Sequence, residues 1–413
     1  MLAGDKALID SMKCLPQSRR TVAWMRSIPN KHYPRLENMV MDYLRYYLNC
    51  LLPLAAIAGF VLGGHWVWLG IGTLPLLILA DALSPQDYAP RRIANGALAD
   101  LVIYVQMLLV LGTFVAFAWR AHVGFDPALG PVQPWLASTL ALVWIGLVAN
   151  VGAAHELMHR HNPLAAFIGK LGFAVIGAPN RDISHTVTHH LYFDTERDFD
   201  TAHRGESVYR FVPRCIWGNT RDEIEYERRR LAAQGHGLWH WKSQILWGLV
   251  LSVAMLAGMY WAGGLPALLV QAAAMVGGRI LGEALNYLQH FGLLRVPGRP
   301  IEDRHTWNHL SAVTRILGLE ITNHVEHHQD PDRPFYALTP RPQGPQMRNI
   351  LLWGIAAFVP PVWTRLIQRR LKDWDLNHAN AEERALAREA NRRAGWPDWL
   401  GESPATAEVA RAA

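Results

Sequence analysis

ALVWIGLVANVGAAHELMHR, residues 141–160, decides the fold, because an uncharged apolar run passes into a histidine pair with no turn residue between them. Trp135–Ala153 holds no Asp, Glu, Lys or Arg. It is long enough to cross a ~30 Å hydrocarbon layer, which takes about 20 helical residues. His155 and His159 follow at i, i+4, the spacing that puts two side chains on one helix face. Metal-binding chemistry therefore sits at the mouth of a membrane span.

Five more apolar runs lie on either side: Tyr47–Gly63, Trp66–Leu83, Leu101–Ala118, Ile245–Trp261 and Ala267–Leu285. Leu164–Ala178 is short and interrupted by Lys170, and Ile350–Val359 stops at Pro360 and Pro361, so neither counts as a span. The prediction is an all-α membrane protein with six transmembrane helices and a histidine-rich cap. A cytoplasmic N-terminal segment (1–43) precedes a membrane-embedded domain (44–345). A cytoplasmic or interfacial helical segment (346–413) follows; from about Lys372, with its run NAEERALAREANRRA, it reads as a solvated helix and a disordered end.

Composition agrees, with 51% hydrophobic residues, 17 Trp and net charge +6 in 413 residues. The first forty residues are polar, carry Lys13, Arg19, Arg20, Arg26 and Lys31, and show no signal-peptide pattern. Placing them in the cytoplasm puts the Arg91–Arg92 loop inside and the sparsely charged Arg120 loop and Gly263–Gly264 turn outside, as positive charge directs. The same threading brings the segments after Ala153 and Leu285 to the cytoplasmic side, in what is expected to be a bacterial inner membrane. No basic face with interleaved aromatics points to nucleic acid. Cys14, Cys50 and Cys215 form no CxxC pair, so no iron–sulfur cluster is built in and electrons must come from outside.

Four histidine groups occupy that side: His155 and His159; His185, His189 and His190; His290; and His324, His327 and His328. Neutral imidazole is a good iron ligand. Each multi-histidine group has i, i+3 or i, i+4 spacing, while the neighbours His189–His190 and His327–His328 point about 100° apart on a helix. One ring of each neighbouring pair is thus free to serve a second metal, and nine imidazoles give four or five to each of two. Carboxylates are expected to hold the far ring nitrogens; the candidates are Glu156, Asp194, Asp198, Glu283, Asp303, Glu326 and Asp330. His236–His240 and His305–His309 share the spacing, and His161 adjoins a motif; all five are assigned to interfacial or supporting positions. HELMH alone is also a zinc-protease signature, though three zinc ligands would leave the other groups unexplained.

HELMHR, the single-histidine stretch NYLQHFGLLR, TERDFDTAHRGESVYRFVPR and the closing EITNHVEHHQDPDRPFYAL together resemble the membrane alkane hydroxylase and xylene monooxygenase family, within the wider fatty acid desaturase-like group. The resemblance covers about residues 40–345. Gln289 and Phe291 stand where the alkane branch has glutamate and tyrosine, and Asn323–His328 replaces its histidine-serine-aspartate-histidine-histidine box, which is closer to the xylene branch. The resemblance implies two irons held by the nine histidines. It also implies O2- and two-electron-dependent hydroxylation of a terminal methyl group of an alkane or alkylarene to a primary alcohol. Acyl-chain desaturation shares the histidine pattern and stays open. The implied electron source is rubredoxin with its reductase, or a ferredoxin-type reductase component. The basic residues Arg204, Arg210, Arg214 and Arg221 are read either as a surface that steers an acidic carrier or, equally, as an anchor to anionic lipid headgroups. The substrate is expected in an apolar channel, with Trp68, Leu69, Leu76, Leu101, Tyr104, Trp144 and Val148 as possible lining residues.

Overall fold

The computed structural model describes residues 36–401. The readings of the basic N-terminus and of the terminal end beyond 401 lie outside the described residues. Two compact units divide the chain: of Met1–Asp42 only the start of the helix Leu36–Leu44 is described, and the described residues of Tyr43–Ala413 form a helical bundle. Among the described residues there is no strand, only two isolated bridges.

Three helical stretches, α1 (Val40–Leu62), α2 (Gly64–Leu83) and α3 (Gly96–Val123), are long and apolar enough to cross a membrane. α4 (Gln133–Val148) and α5 (Val151–Met158) meet at 43° and qualify only as a pair. α6 (Pro163–Val175) is a shorter apolar helix, and α7 (Val208–Ala232) is polar. α8 (Gln244–His290) has 47 residues, about 70 Å of continuous helix at ~1.5 Å per residue and far more than the ~30 Å layer needs. It breaks at Gly263 (φ −143°, ψ 22°) and Gly264 (φ 67°, ψ −160°), and Pro266 follows. A left-handed φ is open to glycine without Cβ strain, so Gly264 is what lets the chain turn there and form two rods.

The bundle's core packs Phe60 against Phe117 and Phe117 edge-on to Trp135, with Met107, Ile145 and Val270 around them. A second core forms around Tyr287 and Phe291 at the end of α8. Trp363 of α11 (Pro360–Asn377) packs on both rings at 5.1 Å.

The C-terminal segment departs from the expected solvated helix. α12 (Ala381–Ala394) buries Glu383, Ala387 and Asn391, and the buried Asp375 of α11 makes a two-point ion pair with Arg204, both contacts at 2.7 Å. The stripe Ala379, Glu383, Ala387, Asn391 has helical period but small and polar members, so it leaves no apolar pattern to read. The pair also corrects the assignment of Arg204 to a carrier-steering surface, since its side chain is fully buried. Arg214 is occupied by Glu206 at 2.7 Å, while Arg210 and Arg221 are exposed.

Candidate metal centre

α5 delivers His155 from its last turn, and His159 caps its C-terminal end. It lies close to the segment leading to the last histidine group: a Cβ at Gly152 would sit 3.0 Å from the Gly318 carbonyl oxygen. His290 ends α8. His324, His327 and His328 ride on the short helix α9 (His324–Gln329), which precedes α10 (Ile350–Ala357). His185–His189 form a π-helical turn, a distortion that often marks functional sites.

These elements bring all nine rings together in two groups. His155, His159, His185, His190 and His327 place one nitrogen each within 4.8 Å of one another, and so do His189, His290, His324 and His328. Nε2 of His155 faces Nε2 of His185 at 2.8 Å, and His190 Nε2 faces it at 3.0 Å. In the other group His324 Nε2 faces His290 Nε2 at 2.9 Å and His328 Nε2 at 3.2 Å. Neighbouring ligands bonded at ~2.1 Å to one ion stand about 3 Å apart, which is the spacing seen. Nε2 of His159 and of His327 is buried with no hydrogen-bond partner. Both groups therefore have the donor chemistry and geometry of a metal site.

His189 and His190 fall in different groups, and so do His327 and His328. His155 and His159 share a group at i, i+4, as do His324 and His328. The expected pairing fails at the second motif, where His185 groups with His190 at i, i+5 and His189 is sent to the other set. The π turn, with its i→i+5 bonding, is the cause.

Electrostatics favour neutral rings. Burial, followed by the neighbouring histidines, pushes His185, His190, His324, His327 and His328 well below the ordinary imidazole range. Burial brings His159 down to about 4. At His189 burial acts in the same direction, but Asp198 and Asp200 outweigh it and the ring is raised.

Of the seven candidate carboxylates, two touch rings. His189 Nδ1 donates to Asp198 Oδ2 at 3.0 Å and His290 Nδ1 to Asp194 Oδ1 at 3.2 Å, which leaves each Nε2 lone pair facing its group. The other five have different partners. Glu156 accepts from Arg160 and the Phe335 amide, and Glu326 from Arg333 and the Thr339 amide. Glu283 binds Arg279, Asn286 and the Cys215 thiol. Asp303 and Asp330 are exposed or half-exposed and lie near Arg341 and Arg333. The reason is local: each of these carboxylates has an arginine within reach. Sequence reading missed Asp200, which lies 3.5 Å from His189 Nδ1 and pairs with Arg181 at 2.5 Å. Its position two residues after Asp198 in RDFD was the available signal.

The competing histidines stay out of both groups. His305 pairs with Glu383 at 2.8 Å, His309 Nδ1 donates to the Met347 carbonyl, and His161 is exposed beside Asp332. His236 and His240 stack on each other at 3.8 Å.

An apolar cavity of about 360 Å³ reaches the rings: His155, His185 and His324 form part of its wall, with Leu74, Ile78, Phe173, Ile176 and Leu288 among the rest. Of the lining residues expected from sequence, Trp144 and Val148 are in it, and Trp68, Leu69, Leu76, Leu101 and Tyr104 are not. Leu76, Leu101 and Tyr104 are exposed on the outside of the bundle instead. Trp144 is fixed by a 2.8 Å bond from its Nε1 to Thr73 Oγ1.

Residues 129–343 match the family described as "Fatty acid desaturase". The chain is 38% identical to the xylene/toluene monooxygenase hydroxylase component XylM of Pseudomonas putida over 87% of its length and 97% of that protein's. It is 29% identical to the alkane 1-monooxygenase of Acinetobacter baylyi (86% and 89%) and 27% identical to alkane 1-monooxygenase 1 of Pseudomonas aeruginosa (79% and 86%). With its apolar spans and clustered histidines, the chain belongs to the membrane fatty acid desaturase-like family, in the branch of monooxygenase oxidoreductases formed by the alkane 1-monooxygenases and the xylene monooxygenase hydroxylase component.

Proposed function

We propose that the chain hydroxylates a terminal methyl group of an alkane or alkylarene to a primary alcohol, using O2, two electrons and two irons held by the nine histidines. The carrying observation is that two sets of inward-facing imidazole nitrogens stand at the wall of one apolar cavity. The irons would supply the oxygen-activating redox chemistry, which no side chain provides. His155, His159, His185, His190 and His327 would hold one iron, and His189, His290, His324 and His328 the other.

The chain's own residues do the rest. Aliphatic and aromatic walls bind a hydrocarbon by burial and keep water from the reacting carbon. Trp144, tied to Thr73, gives that wall a fixed edge. Asp198 and Asp194 keep the protons of His189 and His290 on Nδ1. The two rods of α8, α1 to α3 and the bent α4–α5 pair support six crossings, with the histidine groups at the cytoplasmic ends, in an inner membrane. Residues 44–345 would form the oxygenase domain and 346–413 a cytoplasmic or interfacial segment, whose helices α11 and α12 pair with it through Arg204. Electrons would come from a soluble carrier, rubredoxin with its reductase or a ferredoxin-type reductase component.

The family match favours a second reading, desaturation of an acyl chain, which shares the ligand set. The relatives' names favour hydroxylation. A zinc-protease role has little support, because the carboxylate of Glu156 is engaged by Arg160 and the Phe335 amide. Purified protein in detergent, given a surrogate reductase with octane, xylene or an acyl-CoA, should yield alcohol and contain two irons per chain. Alkene from the acyl-CoA with no alcohol from either hydrocarbon would overturn the proposal in favour of the desaturase.

A further inference from the structure

The motif NYLQHFGLLR ends in Arg295, for which the ligand assignment gives no role. Arg295 is 5% exposed, and among the described residues no carboxylate lies within ion-pair distance of it. Its donors go to backbone carbonyls instead. Nη2 reaches Leu191 O at 2.8 Å, Nε reaches Phe193 O at 3.1 Å and Nη1 reaches Arg299 O at 3.2 Å, while its own amide donates to Asp194 O at 2.8 Å. The guanidinium also lies over the Phe193 ring, 4.8 Å from its centre. A buried guanidinium is costly, and here it is spent on sewing residues 191–194 to the chain just beyond His290.

That short segment meets the four-histidine group through two side chains. Phe193 stacks on His328, ring centres 4.0 Å apart and planes at 25°, and stands 5.4 Å from His290. Asp194 accepts from His290 Nδ1 while holding φ at 59°, a left-handed conformation that a side-chain-bearing residue keeps only when its surroundings enforce it. The Thr201 hydroxyl accepts from the Asp194 amide, and Arg295 binds the peptides on either side. His189 and His190 come directly before this segment, so its placement also fixes where the π turn ends.

We propose that Arg295 is a positioning residue for the four-histidine group: by clamping residues 191–194 it aims Asp194 at His290 and lays Phe193 on His328. The inference rests on the two-metal reading above. Lysine is a poor substitute, since one ammonium cannot reproduce a planar fork that serves separated carbonyls and covers a ring.

The test is titration of the metal-free full-length protein in detergent with Co2+, followed by its visible absorption, for the parent, Arg295→Met and Arg295→Lys. The parent should take two equivalents. In Arg295→Met the first should bind as in the parent and the second 10–100-fold more weakly, the usual cost of losing a partner that orients a ligand; Arg295→Lys should fall between. If Arg295→Met does not accumulate as folded protein, Phe193→Leu is titrated in its place and should weaken the same equivalent. Two equivalents bound as tightly as in the parent, or both weakened alike, would overturn the inference and leave Arg295 a general stabiliser. A parent that takes up no metal would remove the two-metal reading itself, and this inference with it.

Discussion

Replacing Asp375 by alanine should loosen the C-terminal helices, and the structure sets the size of the effect. Asp375 and Arg204 are both fully buried and meet through two contacts of 2.7 Å. Arg204 also donates to Asn391 Oδ1 and to the Gly292 carbonyl, both at 2.9 Å, and Trp399 Nε1 donates to Asp375 at 2.7 Å. One ion pair thus ties α11, α12 and the residues after it to the turn just past His290. Removing one partner of a buried pair leaves an uncompensated charge, at about 3–5 kcal/mol. Replacing both by apolar residues of similar size is often close to neutral. Asp375→Ala should therefore raise amide exchange across α11 and α12 by about two to three and a half orders of magnitude, since ~1.4 kcal/mol is a factor of ten. Arg204→Met combined with Asp375→Leu should recover most of the protection. Equal exchange in Asp375→Ala and the parent, or a double variant worse than the single, would refute the reasoning.

Other outcomes follow from the site. His155→Ala and His328→Ala, one from each group, should each abolish turnover and lower the iron content, whereas His236→Ala should do neither; alcohol formation and iron per chain measure both. Asp194→Asn and Asp198→Asn keep their shapes but weaken the hold on the Nδ1 protons of His290 and His189, so metal affinity should fall about 10–100-fold in a Co2+ titration. His309 is buried outside both groups and is held down to about 4 by burial. A histidine kept neutral in the fold takes up its proton only on unfolding, so its contribution is full above the ordinary value of 6.5 and is lost as pH falls toward about 4. Thermal melts of metal-free protein should drop across that window, with a shallower slope in His309→Gln.

Much of the fold was legible because membranes impose a coarse rule, that each crossing needs a long apolar run. α2 and α3 contain the runs read from sequence, and the turn at Gly263–Gly264 is where α8 breaks. What stayed hidden depends on contacts that leave no apolar trace. The buried face of α12 is made of Ala, Glu and Asn, and Arg204, which donates to its Asn391, lies 187 residues away in the chain. A charge-rich helix docked through a few polar side chains and a helix free in water can carry the same pattern.

The site shows the same limit at shorter range. Which histidines occur could be read directly, but which of them share a metal group depends on the local backbone. On a regular α-helix His185 and His189 would lie on one face and His190 would turn away. The π turn reverses this, placing His190 beside His185 and turning His189 toward Asp198. An α-helical turn at 185–189 would exchange the two rings, setting His189 beside His185 and turning His190 away. The distortion therefore decides which ring of the adjacent pair joins which group, and the tie between Asp198 and His189 holds the displaced ring in its place.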